Sequence, residues 1–325
     1  MNEDRARFWL PFGLLVAILA VSTASIFIRF AQREAPSLVI AALRLTFASL
    51  ALAPVALTRH REALRKLTRR ELFLGLLSGV FLAVHFATWI SSLEYTSVAS
   101  SVVLVSTGPL WVALLSPIFL KESLTKPVLV GMCLALAGGV IIGLSDSCEL
   151  TLRLFSPDGS LRSGSISCPP FSEFVQGKAF VGNFLALAGA WAVAGYLMIG
   201  RRLRGGMTLV PYIFIVYGIA AVLLLGIMRV AGQSPFGFSS GVYAWILLLA
   251  LVPQLIGHST YNWALRYLPA ALVSVTTLGE PIGSAILAYF ILREAPTALT
   301  IFGGVLILGG IYVSSRVERR GVAPQ

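Results

Sequence analysis

One glutamate sits where a charge is costly. Glu280 lies twelve residues from either end of an apolar run covering 268 to 292, and a carboxylate midway along a bilayer-spanning helix costs about 2.5 to 3.5 kcal/mol or more. It needs a partner, a proton or water. The functional readings are a proton carrier or a ligand for a cationic group; the structural one is a carboxyl bonded to a neighbouring helix, with Arg44 as an available cation. Pro281 follows, lacks a backbone donor and leaves a carbonyl one turn back free for solute or water. His85 shares a helical face with Trp89, and His258 with Tyr261 and Asn262, by three- and four-residue spacing. An imidazole beside an aromatic wall can bind a planar or amino-acid-like solute, or change charge near neutral pH; the plainer reading is a histidine satisfied inside a bundle. Thr107, Thr277, Trp191 and Tyr196 complete the candidate set, with Ser106 and Ser274 beside them. Membrane-helix hydroxyls usually bond their own backbone or a neighbouring helix, so each is weak evidence alone. The chain carries no metal-ligand cluster of workable spacing, no Walker phosphate loop and no nucleophile elbow. An enzyme and a bound cofactor are therefore not expected.

The elements that must position these residues follow from composition. The chain is 57% hydrophobic and 12% charged, with mean hydropathy +0.86, against about 25% charged residues in an ordinary soluble domain. Ten apolar runs are long enough for the bilayer core: 11 to 31, 36 to 58, 71 to 92, 96 to 120, 127 to 145, 180 to 200, 208 to 231, 241 to 264, 268 to 292 and 297 to 315. Each is apolar on all sides, unlike the alternating strands of an outer-membrane barrel, so an all-α integral membrane fold is predicted. The first run is longer than a signal-peptide core and no small-residue cleavage site follows it, so it is read as a retained span.

A net charge of +11 would suit nucleic acid if it formed one patch. It is instead concentrated in the loops facing one side, around Arg59 to Arg70, Arg201 to Arg204 and Arg316 to Arg320. That is the positive-inside pattern, which predicts both termini in the cytoplasm and no nucleic-acid partner. The expected setting is a bacterial cytoplasmic (inner) membrane, with the lipid bilayer and a small-molecule substrate as partners.

The chain also contains one stretch twice. Shifting residues 93 to 143 by 172 positions lays them on 265 to 315 without a gap, with 14 of 51 positions identical, among them Tyr95 with Tyr267, Pro109 with Pro281 and Glu122 with Glu294. Farther upstream the same shift pairs Phe12 with Phe184 and Arg29 with Arg201, and it carries His85 to Gly257, one position from His258. The counterpart of Glu280 is Gly108, so the proline break is duplicated while the acid is not. Five predicted spans in each half make the second copy enter from the opposite face, the inverted repeat of many secondary transporters. The divisions are 1 to 145, a polar connector 146 to 179 outside the cytoplasm, 180 to 315, and a cytoplasmic tail 316 to 325. The connector holds Cys148 and Cys168, which an oxidising compartment could join or leave as free thiols. Gly139, Gly143, Gly303, Gly304, Gly309 and Gly310 are read as close-packing positions.

These residues resemble the EamA-type branch of the drug/metabolite transporter superfamily. The resemblance rests on Leu93-Glu94-Tyr95-Thr96-Ser97, Pro109, Phe119-Leu120-Lys121-Glu122, Gly131 and Gly138-Gly139. The second copy repeats it as Leu265-Arg266-Tyr267, Glu280-Pro281, Leu292-Arg293-Glu294, Gly303-Gly304 and Gly309-Gly310, and Ala42-Leu43-Arg44 adds the second helix. It implies a ten-helix carrier with a central cavity lined by helices 1, 3, 4, 6, 8 and 9, moving small metabolites such as amino acids, often outward. Two departures stand out: Val21-Ser22-Thr23-Ala24 replaces the family's tryptophan-glycine pair, and the connector is longer than usual. The expectation is a secondary transporter exporting or exchanging small metabolites, with an amphipathic or aromatic amino acid preferred, by alternating access coupled to protons. Its alternatives are an uncoupled facilitator of sugars, nucleotide derivatives or drug-like cations, and a non-transporting receptor or scaffold.

Overall fold

The computed structural model describes residues 3–120, 126–145, 149–151, 165–167, 177–268 and 270–321. Cys148, Cys168 and Glu122 lie outside the described residues. In the first half the helices are α1 (Glu3–Ser22), α2 (Ala24–Ala31), α3 (Ser37–Arg59), α4 (Arg61–Arg65), α5 (Arg69–Ser92), α6 (Val98–Val105), α7 (Gly108–Leu120) and α8 (Lys126–Ser145). After the connector come α9 (Lys178–Arg204), α10 (Leu209–Val230), α11 (Ser240–Leu249), α12 (Ser259–Ala264), α13 (Ala270–Thr276), α14 (Gly279–Leu287) and α15 (Ala298–Gly321). Wider π-helical turns at Ala250–His258 and Ala288–Leu292 continue α11 and α14. In the connector, the one departure from an all-helical chain among the described residues is a short antiparallel ladder, β1 (Glu149–Thr151) on β2 (Ser165–Ser167), with Glu149 opposite Ser167.

Seven helical stretches are long and apolar enough to cross a membrane, from Phe8–Ala31 to Ser240–Ala264, and three shorter apolar helices, Cys133–Ile142, Gly279–Leu292 and Ala298–Gly310, fall in the remaining predicted runs. The outward surface agrees with a lipid solvent. Val222, Phe290, Val305, Phe302, Leu19 and Leu50 are all exposed, a distribution that would drive aggregation in water.

Local chemistry explains where the helices begin and break. Thr68 and Glu71 form a capping box at the start of α5, each side chain accepting from the other's backbone N–H. The fourth and ninth runs are each interrupted just ahead of their proline: α6 stops at Val105 and α7 starts at Gly108, while α13 stops at Thr276 and α14 starts at Gly279. A proline cannot donate and its ring crowds the carbonyl four residues back, so the chain tightens ahead of each through Thr107 N–H to Leu104 and Thr277 N–H to Ser274. The first run also tightens, at Thr23, whose N–H and hydroxyl both donate to Ala20. Pro253 sits inside the first π-helical turn, where its missing donor is tolerated by the widened ladder.

The two copies meet in matched ways. A Cβ on Gly138 would strike the Gly303 carbonyl, and one on Gly310 would strike that of Gly131. Gly131 and Gly303 are repeat mates, as are Gly138 and Gly310, so α8 and α15 cross in opposite directions and exchange equivalent contacts. Of the six glycines singled out as packing positions, Gly303 and Gly310 make such contacts, while Gly309 has nothing within 4 Å and Gly304 only ordinary contact with Val103. At the helix ends the correspondence recurs. Arg29 donates to the Leu93 and Thr96 carbonyls and pairs with Glu294 at 3.3 Å; Arg201, its mate, donates to the carbonyl of Leu265, the mate of Leu93.

Candidate functional site

Between the two helix breaks lies a small cavity. Its walls are Val21 from α1; His85 and Trp89 from α5; Val105, Ser106, Gly108 and Pro109 at the first break; Val193, Tyr196 and Leu197 from α9; His258 and Tyr261 at the junction of the π turn with α12; and Ser274, Thr277 and Glu280 at the second break. Its volume is about 50 Å³, room for a few waters at roughly 10 to 15 Å³ of such space each and not for a metabolite. Loading a solute requires the walls to separate.

Glu280 sits in the first turn of α14, its backbone N–H donating to Thr277. The positive end of that helix dipole favours a carboxylate there. Close packing brings this break onto α1: a Cβ on Gly279 would strike Ile18 and one on Gly283 would strike Ser22, and the Ser284 hydroxyl donates to the Ser22 carbonyl at 3.1 Å. Glu280 is therefore held by backbone approach rather than by a cation. The structural alternative, a direct bond to Arg44, does not form: no ion pair within 4.0 Å joins them, and both Arg44 η-nitrogens lack hydrogen-bond partners.

The histidines converge from different helices. The His85 ring stacks on Trp89 at 5.8 Å and 16°, and the His85 and His258 ring centres are 6.3 Å apart. Nδ1 of His85 lies 2.9 Å from the Gly189 carbonyl. A carbonyl only accepts, so Nδ1 carries a proton, which in the neutral form of the ring leaves Nε2 as an acceptor. Trp89 Nε1 and the Tyr261 hydroxyl are buried without a partner. The lining thus offers one carboxylate, an imidazole acceptor, two uncommitted donors and aromatic faces.

Of the residues singled out from the sequence, Glu280, His85, Trp89, His258, Tyr261, Tyr196 and Thr277 line the cavity. Asn262 does not. It is fully buried one layer behind, donating to the Tyr196 hydroxyl and to the His258 carbonyl at 2.8 Å, and so positions two lining residues. Thr107 also stands aside, its hydroxyl bonded to the Leu104 carbonyl and accepting from Trp111 at 3.2 Å. Trp191 is 43% exposed and packs edge-on against Trp111 at 5.3 Å. On α9 the lining positions are Val193, Tyr196 and Leu197, and Trp191, two residues before Val193, projects about 200° away from it. The amphipathic body of tryptophan suits that outer surface as well as it would suit a cavity wall.

Sequence reasoning did not reach Gln254 and Phe86, which fix Arg44. Arg44 Nε donates to Gln254 Oε1 at 3.0 Å, and its guanidinium lies 4.1 Å over the Phe86 ring. The only sequence signal was an arginine inside an apolar run.

A helical bundle with lipid-facing apolar walls and a buried polar cavity at paired helix breaks is an integral membrane protein of transporter type. The chain belongs to the EamA-like transporter family, whose model matches residues 8–144 and again residues 180–316. An uncharacterized transporter of Archaeoglobus fulgidus is 25% identical over 94% of this chain and 95% of its own length. The pseudopaline exporter CntI of Pseudomonas aeruginosa is 24% identical over 94% and 97%. A solved crystal structure of a protein shares the fold with TM-score 0.65 at 18% identity, covering 96% of this chain and 99% of that one.

Proposed function

We propose that this protein is a secondary transporter that exports or exchanges a small metabolite by alternating access, with Glu280 as the coupling or binding carboxylate. In this reading the seven long spans and three shorter apolar helices make ten crossings, arranged as two inverted five-helix halves with both termini in the cytoplasm of a bacterial inner membrane. The opposed Gly131–Gly310 and Gly138–Gly303 contacts support the inversion. The observation that carries the function is the cavity itself: it forms at duplicated helix breaks, and a carboxylate stands at only one of them. An amphipathic, aromatic amino acid suits Trp89, Tyr196 and Tyr261 around Glu280. The similarity to a protein named as an exporter favours outward movement.

The test begins with counterflow of an amino-acid panel in proteoliposomes of purified protein, followed by Glu280→Gln. Glutamine keeps the shape and removes the ionisable group, so pH-gradient-driven flux of the solute found should disappear while exchange at equal pH persists. Unchanged gradient-driven flux in Glu280→Gln would remove the coupling role, and wild-type flux indifferent to the gradient would select an uncoupled facilitator.

A further inference from the structure

Arg44 lies about two turns into α3 with no exposed surface. A guanidinium has five N–H donors and no acceptor, and here only Nε is used, by Gln254 at 3.0 Å. Nη1 and Nη2 are buried with no partner. The Phe86 ring at 4.1 Å supports the positive charge from one face, but it cannot accept the in-plane hydrogens. A buried charge left in this condition is strongly destabilising unless something completes it.

The surroundings indicate what is missing. The guanidinium rests on Phe86, a neighbour of two residues that line the cavity, His85 and His258. Phe86, on which it rests, lies 4.8 Å from the His85 ring and 5.3 Å from the His258 ring, centre to centre. Trp89 Nε1 and the Tyr261 hydroxyl, both on the cavity wall, also lack partners. Arg44 itself stands behind this wall and is not among the lining residues; its two η-nitrogens, like these two donors, have no partner, and Glu280 does not come within 4.0 Å of it.

We propose that Arg44, oriented by Gln254 and Phe86, is the recognition centre for a carboxylate carried by the transported solute. A carboxylate presents two coplanar oxygens that match Nη1 and Nη2 in the bidentate fork that arginine favours. Occupied this way, Arg44 is neutralised by the solute, and Glu280 is left to hold the solute's cationic group or a proton. Within the chain Arg44 has only a distant Glu280 to balance it; a bound carboxylate solute would give each a close partner. This deepens the transporter reading and rests on it.

The measurement is ligand-induced thermal stabilisation of the purified full-length protein, titrated with phenylalanine, phenylalaninamide and acetate. Phenylalanine should bind at least about tenfold more tightly than its amide, the worth of one charged hydrogen bond. Acetate should stabilise weakly, and Arg44→Gln should erase both effects while eluting as a monodisperse species. Should that variant not fold, the acid-against-amide comparison in the wild type decides alone. Equal affinity for acid and amide, or a preference that survives Arg44→Gln, overturns the Arg44 assignment. Acetate stabilising the wild type but not Arg44→Gln, with phenylalanine inert, keeps the carboxylate centre and sinks the amino-acid reading. No response to any of the three removes the inference whatever Glu280→Gln does to flux.

Discussion

Arg29 ties three elements together at one end of the bundle, and its removal should open that end. Its Nη1 donates to the Leu93 carbonyl at 2.5 Å and its Nη2 to the Thr96 carbonyl at 2.9 Å, while Glu294, paired to Nη2 at 3.3 Å, also accepts from the Val98 N–H at 3.0 Å. The clasp thus joins α2, the α5–α6 turn and the end of the ninth run, on the side that the proposed topology assigns to the exterior. Hydrogen bonds from a charged donor contribute about 1.5 to 3 kcal/mol each. The side chains of Arg29 and Glu294 are 25% and 32% exposed, so the ion pair adds at most about 1 kcal/mol. Allowing water to satisfy the freed carbonyls in part, Arg29→Ala should cost the closed arrangement roughly 2 to 4 kcal/mol, a shift of about 30-fold to 1000-fold in its population ratio. Glu294→Gln keeps an oxygen for Val98 and loses only the ion pair, a change of about fivefold or less. The assay is the rate at which a membrane-impermeant maleimide labels Ser274→Cys from the outside, with the native cysteines replaced. Arg29→Ala should accelerate labelling far more than Glu294→Gln. Equal effects, or an unchanged rate in a folded Arg29→Ala, would show that the clasp only braces the fold.

Three further outcomes are expected. Gly138→Leu should sharply reduce stability in detergent because its side chain would meet the Gly303 backbone, whereas Gly309→Ala, with nothing within 4 Å, should be silent in the same melting assay. Glu34 accepts from the Ser239 N–H and hydroxyl at 3.0 and 2.8 Å, and these bonds, the backbone one foremost, hold its carboxyl below the usual range. A lowered folded-state value means stability present above the ordinary glutamate range and lost as pH falls through the lowered value; Glu34→Gln should therefore flatten the acidic limb of a stability-against-pH curve. Glu149 and Ser167, paired in the ladder, are the sequence neighbours of Cys148 and Cys168, and a disulfide between these cysteines should appear as a two-dalton mass change on reduction, absent in Cys148→Ser.

Much of the architecture was legible because its causes are local. Run length and hydropathy marked the spans, the shift of 172 marked the two copies, and Pro109 and Pro281 marked the interruptions, since a missing donor acts on the turn that contains it. The packing glycines were partly legible. A helix shows where small residues cluster, but Gly138 rather than Gly139 faces Gly303, and one residue is a 100° rotation.

What the amino-acid sequence determined by itself was the set of apolar helices, their duplication, and a carboxylate beside one break and not the other. Tertiary structure decided which polar groups meet. Tyr196 turns to the cavity and Trp191 away from it, Asn262 serves from behind, and Arg44 stops short of Glu280 with two nitrogens unclaimed. The reason is physical: lipid is as apolar as the side chains it bathes, so hydropathy sets the length of a membrane helix and not its rotation. Rotation is decided only where backbones approach at glycine and where buried donors find, or fail to find, an acceptor on another helix.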